Sequence, residues 1–292
     1  MIDNKQFNSN CNFDNINDKE NIAKCLKILN KTLNGPITLE SLNRICDEIL
    51  NINPKHPLAN FLKGLLLTLT GNFECALKFF NNGLEYNPKN TLIRFLKALD
   101  YELMNMVDKC LKEYDEILEI NPQCVLAWLK KAEVLRKFGK YEESLKCYNK
   151  VLESSLNLTA LFGKGLVLYK LGEFEKALYH LNKALEINPN FLSALILKSE
   201  ILLSLNKLTE AIMTIEKALE IRPDDIRALH ILGIIHLRLK EFEEAIKVFD
   251  KILKKNPYHL GAQFGKAIAY EKMGNLEKAI ELYNKIFNYY SE

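Results

Sequence analysis

The chain has 292 residues with 40 basic and 37 acidic side chains, for a formal net charge of +3. That balance, with no basic block or arm, argues against nucleic acid as the partner, and no run approaches the roughly 20 apolar residues that span a bilayer. An apolar fraction of 48% can feed an extended core, while seven scattered cysteines without a CxxC pair point to reduced thiols rather than a metal cluster.

Residues 1–17 hold six asparagines and little apolar content, so they are expected to form a disordered tail. They contain no apolar stretch of signal-peptide type, which predicts a cytoplasmic protein. From Asp18 a helical pattern runs through Ile22, Cys25, Leu26, Ile28, Leu29 and Leu33, and Asn34-Gly35-Pro36 breaks it. Thr38 is placed to cap a second helix carrying Leu39, Leu42, Ile45, Ile49 and Leu50, which ends at Asn53-Pro54. This pair, residues 18–56, lacks the small residues that recur in the rest of the chain and reads as a degenerate N-terminal cap.

Beyond it one plan recurs. In Leu158–Phe191, apolar residues from Leu161 to Leu171 keep helical spacing and Gly172 marks a turn. Glu173 and Glu175 open a second helix, and Pro189 stops it. Pro54, Pro88 and Pro122 stand 34 residues apart, as do Pro189, Pro223 and Pro257. One residue is missing around Ser155-Leu156-Asn157, where the array is expected to bend or open first. On this frame a small residue recurs in the first helix (Gly64, Ala98, Ala132, Gly165, Ser199, Gly233, Ala267). Another recurs in the second (Ala76, Cys110, Ser144, Ala177, Ala211, Ala245, Ala279). Small residues at both places suit close approach of two backbones. Cys75, Cys110 and Cys147 fall in second helices as small apolar residues.

The period, the paired small residues, the late aromatic (Phe80, Tyr114, Tyr148, Phe249, Tyr283) and the closing proline together resemble the tetratricopeptide repeat. One unit carries the family's tryptophan, Trp128. The resemblance covers seven units: 57–90, 91–124, 125–157, 158–191, 192–225, 226–259 and 260–292. It departs from the pattern at Asn105, Asn206 and Lys240, which replace the inter-helix glycine. It implies an all-α, right-handed α-solenoid superhelix of about eight antiparallel helix pairs.

The resemblance also implies that first helices line a concave inner face. The fifth residue of each unit then forms an inner row: Phe61, Phe95, Leu129, Phe162, Ile196, His230 and Phe264. One turn on lie Leu65, Leu99, Glu133, Leu166, Glu200, Ile234 and Ile268. The apolar members of both rows either complete the inter-helix core or form a groove for a peptide or helix of another protein. Arg136, Lys137, Lys170, Arg238 and Lys272 end first helices, either complementing the helix dipole or forming a basic rim. The lysine before the small residue (Lys63, Lys97, Lys131, Lys164, Lys198, Lys266) is too regular for a binding site; its stem is expected to pack while its amine reaches water. The apolar pairs Phe61/Leu65 and Phe95/Leu99 argue against the family's two-carboxylate clamp.

No HExxH motif, phosphate-cradling loop or nucleophile elbow occurs, so no catalytic residue, metal ligand or cofactor is assigned. His236 reads as a hydrogen-bonded packing residue and His230 as the better ligand contact. The reading is a non-catalytic scaffold for a partner protein. Two alternatives are an RNA-binding helical repeat and a structural subunit that self-associates through Phe287, Tyr289 and Tyr290.

Overall fold

A computed structural model describes residues 38–291. The expected tail and the first helix of the expected cap, residues 18–33, lie outside the described residues. The chain divides into two compact units between Val134 and Leu135. Among the described residues there are fifteen helices and no strand.

The first unit holds α1 (Leu39–Ile52), α2 (Pro57–Leu69), α3 (Phe73–Tyr86), α4 (Thr91–Leu103), α5 (Val107–Ile120) and most of α6 (Val125–Lys137). The second holds the end of α6, then α7 (Tyr141–Ser154), α8 (Leu158–Lys170), α9 (Phe174–Ile187) and α10 (Leu192–Ser204). It continues with α11 (Leu208–Ile221), α12 (Ile226–Leu239), α13 (Phe242–Lys255), α14 (Leu260–Lys272) and α15 (Leu276–Ser291). Even-numbered helices begin at the first residue of each predicted unit. In the first unit α2 packs on both α3 and α4; in the second, α8, α10 and α12 each touch the next even-numbered helix as well as their own partners. Contact between successive first helices is what the inner side of a curved stack requires.

Each local feature has a chemical cause. Thr38 caps α1 as expected, in a capping box closed by Ser41. His56, Asn90, Asn157, Asp225 and His259 cap first helices by accepting from backbone N–H groups. In five of the interpair linkers the asparagine before proline accepts from the N–H two residues on, at 3.1–3.2 Å; these are Asn53, Asn87, Asn121, Asn188 and Asn256. The proline carbonyl is then satisfied by the fourth residue of the next unit. Asn60, Arg94, Trp128 and Gln263 each donate to it, at 2.7–3.2 Å. Four unlike side chains do one job.

Inside a pair, the turn after the first helix is left-handed whether or not it is glycine. Gly71, Gly139, Gly172 and Gly274 have φ of 74–80°, and Asn105, Asn206 and Lys240 adopt 57–62°. Asparagine tolerates that region; lysine does so at a cost of roughly 1–2 kcal/mol. The small residues act as expected. A Cβ on Gly165 would lie 3.1 Å from Leu181 and 3.5 Å from the Ala177 carbonyl. Phe249 is fully buried between Gly233 and Gly265, where a Cβ would come within 2.5 and 2.4 Å of its ring. Burial of one such ring stabilises by about 1.5–3 kcal/mol.

Cys46, Cys110 and Cys147 are buried, but Cys75 is exposed, so the packing role expected of it does not hold. For four of the six recurring lysines the expectation is also corrected. Lys63 and Lys266 sit 2.6 Å from Asp47 and Asp250, Lys131 pairs with Asp115, and Lys97 lies 2.7 Å from Glu113. These amines are held by carboxylates rather than left to water. Three of the partners stand sixteen residues earlier in the chain, a spacing open to view in the sequence.

Candidate partner-binding surface

In the first unit Phe61 packs against the core of Ala76, Phe80 and Ile93. Phe95 meets Tyr114 edge-on at 5.7 Å between ring centroids. Leu65 and Leu129 are half-buried, and Leu99 is 41% exposed. The same unit holds an ion cluster: Glu113 accepts from Arg94 at 3.0 Å and pairs with Lys97 at 2.7 Å, all three largely shielded from water. Asp100 is fully buried, with Oδ2 accepting from Thr68 at 3.0 Å and Oδ1 unpartnered. Burial pushes its carboxyl up to about 6.

In the second unit the same row is less uniform. Phe162 stacks tilted on Phe191 at 4.9 Å and, with Leu166, packs on the core around Leu181 and Ile201. Ile196 is 5% exposed and belongs to the core of Leu202, Ile215 and Ile235; it offers nothing to a ligand. His230 is half-buried, 5.5 Å from His259 and 6.2 Å from Phe249. Burial, then the neighbouring His259, lowers its pKa. Ile234 and Ile268 are half-buried, and Phe264 is 51% exposed, edge-on to Tyr283 at 5.6 Å. Tyr169 donates to Glu200 at 2.7 Å, a tie between α8 and α10 that periodicity alone does not reveal.

The inner rows are therefore mostly core-completing, with Leu99 and Phe264 the members that leave most apolar surface open. Lys137, Lys170, Arg238 and Lys272 are exposed in the last turns of their helices, and Arg136 is half-buried. Lys170 rests 5.5 Å from the Tyr169 ring centre. His236 is a packing residue, its Nδ1 2.6 Å from Glu241. Phe287 is 71% exposed, while the side chains of Tyr289 and Tyr290 lie outside those described. Among the described residues no group of ligands suits a metal ion, and no helix is long and apolar enough to cross a membrane.

Stacked antiparallel helix pairs with small residues at each crossing define an α-solenoid. Three family profiles match the chain: "Anaphase-promoting complex, cyclosome, subunit 3" over residues 139–218, and two named "Tetratricopeptide repeat" over 196–259 and 236–290. The chain belongs to the tetratricopeptide repeat proteins. No curated protein sequence matches it. Among solved structures it is similar to YrrB, described as a tetratricopeptide repeat protein with an unusual peptide-binding site. That match has 24% identity and a TM-score of 0.52 over 63% of this chain and 95% of YrrB. PilW, a type IV pilus biogenesis factor, gives 19% and 0.61 over 70% and 95%. A tetratricopeptide repeat protein from Parabacteroides merdae gives 19% and 0.58 over 87% and 99%.

Proposed function

We propose that the chain is a non-catalytic protein–protein interaction scaffold of the cytoplasm, holding a peptide or helical segment of another protein against the inner faces of its first helices. Its seven units, 57–292, come after a degenerate capping pair at 18–56. The observation that carries the reading is the open apolar surface of Leu99 and Phe264 on first helices, beside half-buried Phe61, Leu65, Phe95 and Leu129 in the first unit and Phe162, Leu166, Ile234 and Ile268 in the second. The likeness to a protein described as peptide-binding supports the same class of ligand.

The test is affinity capture from a native lysate with wild type, Leu99→Ser and Phe264→Ser. Both positions are exposed, so the fold should survive. A protein recovered by wild type and lost from a variant places the contact; equal recovery from all three refutes the inner-face reading. Capture that resists added salt fits an apolar contact, whereas steep salt dependence would indicate RNA instead.

A further inference from the structure

The most unusual place in the array is away from the inner row, in a cavity of about 510 Å³ between α7, α8 and α9. Its walls include Leu145, Leu168 and Tyr179, with Lys164 and His180 among its polar groups. Lys164 is the recurring lysine of its unit. Lys63, Lys131 and Lys266 at that place are each held by an aspartate on the preceding second helix. Asparagine takes the aspartate's place for Lys97, Lys164 and Lys198, as Asn81, Asn149 and Asn182; Lys97 pairs with Glu113 instead and Lys198 lies in the field of Glu210, whereas Lys164 has neither.

The unit adds positive charge where the counter-charge was lost. Lys183 sits 4.5 Å over the Tyr179 ring, and His180 packs edge-on against the same ring at 5.1 Å. His180 Nδ1 is buried and has no hydrogen-bond partner. Two carboxylates also line the cavity: Glu173, whose Oε2 lies 2.5 Å from Lys176 Nζ without a hydrogen bond, and Glu175, which is exposed in the first turn of α9; α7 contributes only Leu145. The fields at Lys164 and His180 come from Tyr179, from Lys183 and from Lys164 itself. Burial, then Lys164 and Lys183, drives the His180 imidazole down to about 4, and burial with Lys183 lowers Lys164.

We propose that this cavity is an oxyanion site, taking a phosphate or carboxylate group, free in solution or on a peptide side chain, between the Lys164 ammonium and the His180 imidazole. The oxygens accept from Lys164 Nζ and from His180 Nδ1–H, beside the apolar wall of Leu145 and Leu168. Three of the recurring lysines have the aspartate and two have another carboxylate nearby; at Lys164 that place is left for an incoming anion. The site stands independently of the inner-face reading.

The experiment tracks the His180 imidazole by NMR in the full chain, in zwitterionic buffer at fixed ionic strength, with inorganic phosphate and acetyl-tetraglutamate amide as separate probes. His180→Gln assigns the signal. A bound oxyanion should raise the His180 pKa by at least one unit. Lys164→Met should abolish that shift. Asn149→Asp, which restores the arrangement of Asp115 and Asp250, should keep the fold and also abolish the response. A response to phosphate alone marks a free anion, and a stronger response to tetraglutamate marks a peptide side chain. No response to either probe, or an equal response in Asn149→Asp, overturns the proposal.

Discussion

Replacing Glu113 by glutamine keeps the shape of the Arg94–Glu113–Lys97 cluster and removes its one negative charge. At 2.7 Å, the attraction to Lys97 is worth about 6 kcal/mol at an effective dielectric constant near 20. Most of that only offsets the desolvation of two charges, because Lys97 and Glu113 are each 7% exposed. Arg94 retains Glu116 at 3.4 Å, but Lys97 is left buried with no counter-charge. The expected loss is about 3–5 kcal/mol, the usual result of breaking a buried pair from one side. Replacing both Lys97 and Glu113 by methionine should cost far less, since nothing charged is stranded. Native-state hydrogen exchange at α4 and α5 reads the local free energy even where a repeat array does not unfold all at once. A loss below about 1 kcal/mol in Glu113→Gln would refute the reasoning, as would equal losses in the single and double variants.

Three further outcomes rest on named contacts. Gly233→Ala should lower thermal stability by about 1–3 kcal/mol although alanine favours a helix, because its methyl would meet the Phe249 ring at 2.5 Å; an unchanged melting temperature would count against that packing. Lys240→Gly should stabilise by about 0.5–1 kcal/mol in urea unfolding, because relief at φ 62° exceeds the extra freedom of the unfolded chain. Asp100→Asn should raise stability at pH 7. Between pH of about 4 and about 6 the folded wild type holds a proton that the unfolded chain has lost, so its stability falls as pH rises through that window. The variant's stability should be flatter there, and unchanged slopes would remove Asp100 as the cause.

The helices were legible because two independent patterns agree: apolar spacing within each helix and proline spacing between pairs. The left-handed turns at Asn105, Asn206 and Lys240 were visible only by analogy with Gly172, since nothing in a lysine announces a positive φ. The inner row was legible as a row but not as a surface. Ile196 and Phe264 hold the same place in their units, yet one is 5% and the other 51% exposed. Helical periodicity fixes direction on one helix, whereas burial depends on the side chains brought alongside by its neighbours. The lysine–aspartate ties were missed for a different reason. Each joins two consecutive units, and comparing every unit only with its own pattern hides a partner sixteen residues back.

The shortened linker at Ser155-Leu156-Asn157 bears on how such a chain can change length. One residue removed inside a helix would turn everything after it by about 100°, carrying the buried face of that helix into water. Removed between Ser154 and Leu158, it leaves α7 and α8 intact and in contact, and Asn157 still caps α8. Deletion or insertion of single residues is thus absorbed at the joints between hairpins. Drift in repeat length between related arrays should accumulate at those joints, leaving the helices of constant length.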